Sequence, residues 1–295
     1  MNKLSSRDIA RFQTKIWQYY KKHGRDLPWR HTVHPYRIVV SEIMLQQTQV
    51  KRGLAKYPLF IKAFPSFRAL ARVPLARVLQ EWSGLGYNRR AVNLHRLANI
   101  VVKDYSGRLP SDFESLKNLP GIGSATAASI RAFAFNEPTP FIETNIRTVF
   151  IHHFFENRTR QKIKVDDKDI LKLVEQTLPA DNPREWYWAL MDYGTHIKEM
   201  YGNPNVIARA YKKQSRFKGS DREIRGAVLK ALIGKPEALS LNTIIKYVGG
   251  EKLRIQKQLS ALIREGFLEV TKRKGLLLYS LSTSTNTKPS TRILS

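Results

Sequence analysis

The sequence predicts an all-α body followed by a small mixed α+β module. Two observations carry the first part: between Pro35 and about residue 200 apolar residues recur at three- and four-residue spacing, and no alternating strand pattern interrupts them. A third carries the second part: after a basic linker the chain reads as three short helices and two strands around a basic turn. The expected division is a body at 1–217, a second domain at 218–283 and a disordered tail at 284–295, low in apolar content.

The elements follow in order. Ile9, Phe12, Ile16 and Tyr19 give an amphipathic opening helix, and Gly24 follows a basic last turn as a C-cap would. The helices beyond Pro35 are ten to fifteen residues long, separated by "AFPSF", "ARVPL", "SGLGYN", "GRLPSD", "LPGIG" and "NEPTP". The polar run "RAYKKQSRFKGSDREIRG", residues 209–226, suits a linker. Beyond it come "DREIRGAVLKAL", then "SLNTIIKYVG" with Ser240 as N-cap, then "EKLRIQKQLSALIREG" with Ile255, Leu259, Leu262 and Ile263 inward. "FLEVT" and "LLLYSL" close the module around "KRKG", and this order is similar to a winged helix. In that reading Arg254, Lys257, Lys272, Arg273 and Lys274 meet DNA; a protein-docking role for the same module is the competing reading.

Lysine and arginine number 51 against 24 acids, a formal net charge of +27. Such a balance points to a polyanion, because each phosphate neutralised releases counterions, and nucleic acid ranks ahead of a membrane surface. A basic protein from a lysine-favouring organism is the bland alternative. There are no cysteines, which excludes disulfides, iron-sulfur clusters and thiolate zinc sites, and the seven histidines have no metal-ligand spacing. No metal or other cofactor is expected. The first residues lack an apolar signal core and no apolar run approaches ~20 residues, so the expectation is a soluble monomer in the cytoplasm, nucleoid-associated if prokaryotic.

The sharpest local signal is "LPGIGSATAASIRAFAF", residues 119–135. Gly121, Ile122, Gly123 and Ser124 make a tight turn into a helix of small residues, whose exposed N–H groups suit a phosphate oxygen. This is the pattern of a helix-hairpin-helix, a backbone clamp indifferent to base sequence; a plain interhelical turn is the alternative.

Taken together, "LPWRHTVHPYRIVVSEIMLQQTQV", "WSGLGYNRRAVNLH", "LPGIGSATA", "ETNIRTV" and "WALMDYGTHI" resemble, in order and spacing, the adenine DNA glycosylases of the MutY type, in the helix-hairpin-helix (HhH-GPD) superfamily. The resemblance covers roughly residues 6–200. It implies double-stranded DNA with a mispaired or damaged base as partner, and a base flipped into a pocket before its glycosidic bond is cut.

Residue by residue, the resemblance implies the following. Glu42 is the acid that protonates a purine ring nitrogen, with apolar neighbours expected to raise its pKa; a structural ion pair is its alternative. Glu143 stands where the family has an aspartate that stabilises or attacks the sugar cation, and Asn145 supports the site or caps a helix. Gln46 and Gln47 enter the base stack. Leu85 and Tyr87 are the wedge and the opposite-base contact, against a core role for the tyrosine. Arg25, Leu27, Trp29 and Arg30 line the base pocket, with Asp192 in the same shell, although "LPWR" also reads as a packing corner.

Three departures accompany the match. Ala125 occupies the place of the Schiff-base lysine of bifunctional relatives, which implies a monofunctional enzyme. The segment after "MDYGTHI" reads "KEMYGNPNVIARAYKK" where the family holds four cluster cysteines. Nothing after residue 218 resembles the Nudix-like domain that reads 8-oxoguanine. The leading expectation is excision of adenine opposite 8-oxoguanine or guanine. Removal of uracil or thymine from G mismatches is the enzymatic alternative, and a catalytically silent mismatch-binding protein is the alternative of another class.

Overall fold

The computed structural model describes residues 3–214, 216–235, 237–273 and 275–282. Lys274 and the tail at 284–295 lie outside them. Among the described residues twelve α-helices precede the linker: α1 (Ser6–His23), α2 (Pro35–Leu45), α3 (Val50–Ala63), α4 (Phe67–Arg72), α5 (Leu75–Trp82), α6 (Arg89–Asp104), α7 (Phe113–Lys117), α8 (Ser124–Phe135), α9 (Thr144–Phe154), α10 (Glu156–Arg160), α11 (Asp167–Thr177) and α12 (Pro183–Tyr201). After it come α13 (Asp221–Leu232), β1 (Leu239–Ser240), α14 (Leu241–Val248), α15 (Lys252–Arg264), β2 (Leu268–Arg273) and β3 (Leu276–Leu281). None of the described helices is long and apolar enough to cross a membrane.

Side-chain caps begin many of these helices. Ser5, Asp112, Asn182, Ser220 and Ser240 each accept a backbone N–H of the first turn of α1, α7, α12, α13 and α14. Each cap satisfies a donor that the helix itself leaves orphaned, worth about 1 kcal/mol. Pro58 lies inside α3 and does not end it, a departure from the rule that proline cuts the chain.

The chain divides into two compact units. The first holds residues 1–42, 110–118 and 122–214. Its centre is α12, packed on α1, α8 and α9. Phe12 meets Phe150 and Trp186 at ring distances of 5.3 and 6.0 Å, and Ile16, Val149 and Ile197 are fully buried around them. Each such side chain contributes roughly 1.5–3 kcal/mol by leaving water.

The second unit holds residues 43–109, 119–121 and 215–295. In it α6 packs on α4 and α5 over Phe60, Trp82, Leu94 and Leu97. The C-terminal part joins α13, α14 and α15 to an antiparallel sheet of order β1-β3-β2, with Thr271 opposite Leu278. Val228, Ile244, Ile255, Leu259, Leu262 and Phe267 form its core. The short β1 strand has too few residues for a period and was not legible in the sequence. β2 runs on through Lys272 and Arg273, so the basic pair lies in the strand.

Within this unit the C-terminal part is fastened to α6. Arg225 forms a bidentate pair with Glu265 at 3.0 and 2.8 Å, and Arg96 donates to the Glu265 carbonyl at 2.9 Å.

Candidate active site and nucleic-acid interface

Glu42, on α2, belongs to the first unit with α8, α9 and α12. Its carboxylate accepts the Ser129 hydroxyl of α8, and Ser129 Oγ also lies 3.0 Å from the Thr126 carbonyl. Burial pushes the Glu42 carboxyl up to about 7, against the pull of Ser129, and the negative field of Glu143 adds to the rise. The result is an acid that still holds its proton near neutrality.

Glu143 is the N-cap of α9. Its Oε1 accepts the backbone N–H groups of Asn145 at 2.7 Å and Ile146 at 2.9 Å. Burial raises this carboxyl above its ordinary range, while those two donors and the charges of Lys198 and Arg147 pull it down. A carboxylate so desolvated and so anchored gains strongly when a cation forms beside it. The capping job that the sequence offered to Asn145 thus falls to Glu143, which leaves the Asn145 amide for another partner.

That partner is Lys198, whose ammonium donates to Asn145 Oδ1 at 2.7 Å. Gly194 makes the reach possible. A Cβ there would stand 2.3 Å from the Asn145 carbonyl oxygen, so only glycine lets α12 cross the first turn of α9 this closely. Lys198 is one turn further along α12 and faces the same neighbour.

Asp192, earlier on α12, is 2% exposed. Burial alone would raise its carboxyl, but Arg30 and Arg25 override that and hold it below the usual range. Arg25 donates through its backbone N at 2.8 Å and Nε at 2.7 Å, and Arg30 through both terminal nitrogens at 2.8 Å. Trp29 and Leu27 are buried beside them, and Arg30 stacks on Trp188 at 5.5 Å. The "LPWR" segment is therefore pinned by one carboxylate.

The segment after α12 closes on α9 through oxygen and nitrogen. Asn205, 1% exposed, donates to Thr148 Oγ1 at 2.7 Å and to the Thr144 carbonyl at 3.2 Å. Val165 and Ala208 add a parallel bridge. The four-thiolate cluster implied by the resemblance does not fit: Lys198 and Asn205 already serve α9, and the chain has no thiol.

In the second unit two loops face solvent on strained backbone. Gln47 and Tyr87 have φ of 52° and 46°, left-handed values rare outside glycine. Tyr87 is 37% exposed, whereas Leu85 is buried. Gln46 donates to the Gly121 carbonyl at 3.3 Å.

One residue ties these loops together. Arg90, 7% exposed, donates to the carbonyls of Ile43, Met44 and Gln46 at 3.2, 2.7 and 2.5 Å, and to those of Leu85 and Gly86 at 3.3 and 3.0 Å. Burial lowers its pKa to about 10, which leaves it charged at neutral pH. It caps the end of α2 and holds the "GLGY" turn in one stroke.

In the hairpin Gly121 has φ of 83° and Gly123 is the N-cap of α8. Nothing lies within 4 Å of a Cβ built on Gly123, Ser124 is exposed and Ile122 is buried. The turn thus presents backbone and the small Ser124 to solvent, with no bulky side chain over it. Lys257, Lys272 and Arg273 are exposed, while Arg254 pairs with Asp221 at 2.7 Å.

Sequence reasoning missed Ser129, Gly194, Lys198, Arg90 and Arg222. Arg90 left a trace: it occupies the apolar stripe of α6 with Leu94, Leu97 and Val101. Lys198 stands first after "MDYGTHI", in the segment where the cysteines are missing.

Residues 40–176 match the family described as "HhH-GPD superfamily base excision DNA repair protein". The chain is 33% identical over 239 residues to the adenine DNA glycosylase of Mycobacterium tuberculosis, covering 74% of this chain and 77% of that one. It is 28% identical over 187 residues to the thymine/uracil-DNA glycosylase of Methanothermobacter thermautotrophicus, covering 63% and 84%. Among solved structures, a thermostable thymine-DNA glycosylase is similar with a TM-score of 0.58 at 27% identity, over 64% of this chain and 86% of that one.

Proposed function

The chain belongs to the HhH-GPD superfamily of base excision DNA repair proteins, as a relative of the adenine DNA glycosylases, and on that premise we propose how its own residues carry the reaction. It is a DNA glycosylase, and its substrate is adenine mispaired with 8-oxoguanine or guanine. The observation that carries the reading is the pair of carboxyls in the first unit. Glu42 is raised to about 7 by burial, and Glu143 bears on it electrostatically.

Glu42 gives its proton to a ring nitrogen of the flipped adenine. The bond between that base and the sugar then breaks with its electron pair going to the base. Positive charge is left on the sugar, and the Glu143 carboxylate stabilises it until water adds and gives up a proton, which restores the protonated Glu42. Lys198 and Ser129 position the two carboxyls, and Asn145 supports Glu143. Arg25, Leu27, Trp29, Arg30 and Asp192 shape the pocket. Ala125 supplies no amine, so the product is an abasic site without strand cleavage, and the enzyme is monofunctional.

The hairpin at Gly121, Ile122, Gly123 and Ser124 grips phosphate through its open backbone. Gln46, Gln47 and Tyr87 meet the opened base stack; Leu85, which the resemblance made a wedge, is buried and backs the turn from the core instead. The C-terminal domain at 218–283 is a winged helix whose exposed Lys257, Lys272 and Arg273 add DNA contacts, with Arg254 shared between Asp221 and the duplex. The protein works as a cytoplasmic monomer with no cofactor.

A second reading, excision of thymine or uracil opposite guanine, is supported by the similarity to the thymine/uracil enzyme. Single-turnover base release from A:8-oxoguanine, A:G, U:G, T:G and hypoxanthine duplexes separates the two. Glu42→Gln should slow release by about 10²–10⁴-fold. Full activity in that variant, or no base released from any duplex by the wild type, overturns the assignment.

A further inference from the structure

Tyr87 is an exposed aromatic held on a left-handed backbone between two guanidinium groups. The Arg90 guanidinium lies 5.7 Å from its ring centroid and the Arg222 guanidinium 5.9 Å. Arg222 Nη1 also donates to the Tyr87 hydroxyl at 2.8 Å. The two arginines differ in kind. Arg90 is buried and locked by carbonyls of α2 and of the turn, whereas Arg222 is half-exposed in the first turn of α13, in the C-terminal part of the chain.

Arg222 does not arrive on a loose arm. Three residues on, Arg225 fastens α13 to Glu265, whose carbonyl accepts from Arg96 of α6, and Asp221 beside it pairs with Arg254. Two guanidinium groups over one phenol ring fix the orientation in which its exposed part and its hydroxyl are presented. The bond from Arg222 fixes the phenol oxygen as an acceptor toward α13, which sets the direction of the phenol's own proton. The backbone strain at Tyr87 marks a position that folding over-determines, and Arg222 is part of what holds it there.

We infer that Arg222 is a specificity-determining residue that sets opposite-strand base selectivity by positioning Tyr87, so that the C-terminal domain contributes to base choice through one side chain. The inference rests on the reading that this protein opens duplex DNA to excise a base. Arg222 acts through the tyrosine, whose ring and hydroxyl meet the base facing the excised one.

The test compares Tyr87→Phe, Arg222→Ala, Arg222→Lys and the Tyr87→Phe/Arg222→Ala double variant, all built on Glu42→Gln so that nothing is turned over. Fluorescence anisotropy gives the ratio of dissociation constants for duplexes with adenine opposite guanine or 8-oxoguanine. Arg222→Ala should move that ratio about fivefold and leave affinity for undamaged duplex within about twofold. Tyr87→Phe should move it in the same direction, and the double variant no further than the larger single change. Lysine should restore less than half of the effect, because an ammonium lacks the planar fork that spans ring and hydroxyl.

Additive effects of the two substitutions overturn the inference. So does equal weakening on every duplex by Arg222→Ala, which would make Arg222 a plain phosphate contact. If the wild type releases no base, the glycosylase reading falls, while the binding ratios still decide the role of Arg222.

Discussion

Lys198 and Asn145 are joined by a 2.7 Å hydrogen bond that puts an ammonium group at the first turn of α9, beside the Glu143 carboxylate. Burial lowers the pKa of Lys198 and Glu143 raises it, so the two charges sustain one another. Arg147, also near Glu143, has a partner of its own in Asp167 at 2.6 Å.

Removing the Lys198 charge should therefore raise the Glu143 pKa further. Lys198→Met is expected to slow base release by about 10–100-fold, the scale of one charged hydrogen bond. It should also shift upward the pH at which Glu143 becomes ionised. A pH–rate profile checks this, because a merely structural loss would lower the rate without moving the limb.

Glu42 gives the opposite limb. Its folded pKa of about 7 lies above the ordinary glutamate value of 4.5. A general acid must be protonated, so base release should fall as pH rises through 7. Stability follows the same sign. Between 4.5 and 7 the folded chain keeps a proton that the unfolded chain has lost, so stability falls as pH rises through that window. Above it the full cost is present. Glu42→Gln should slow release yet raise Tm at pH 8 and not at pH 4, measured by calorimetry, with a gain of about 1–3 kcal/mol at the higher pH.

Gly194→Ala drives a methyl group into the Asn145 carbonyl. The helices must part, which should cost about 1–3 kcal/mol as overpacking and separate Lys198 from Asn145. Denaturant titration measures the first effect. The second appears as a pH–rate profile resembling that of Lys198→Met.

Arg90→Lys leaves the carbonyls of two segments to one ammonium. The expected loss is about 3 kcal/mol in stability, because buried acceptors go unpaired. Binding to mismatched duplex should weaken more than binding to undamaged duplex, as Tyr87 and Gln46 lose their common support. Thermal unfolding and anisotropy titrations test both; equal weakening on the two duplexes would leave Arg90 with a packing role alone.

The sequence made the helices legible because their punctuation is local. Ser240 caps α14 and Glu143 opens α9, each within one turn of the chain. Glu42 was legible too, as a lone acid among Ile43, Met44 and Leu45. Lys198, Gly194 and Arg90 were not read, since their meaning depends on partners 53, 49 and 47 residues away at Asn145, Asn145 and Ile43. Arg222 lies 135 residues from Tyr87 and no periodicity reports such a pair. Even so, a charge in an apolar stripe and a glycine in mid-helix are both visible anomalies. Each marks a place where packing, not propensity, decides the residue.

The left-handed backbones of Gln47 and Tyr87 carry one last consequence. Their conformational cost is met when the chain folds, not when it collides with a duplex. Encounter then involves preorganised loops, and its rate should follow diffusion and salt instead of waiting on a slow isomerisation of the protein.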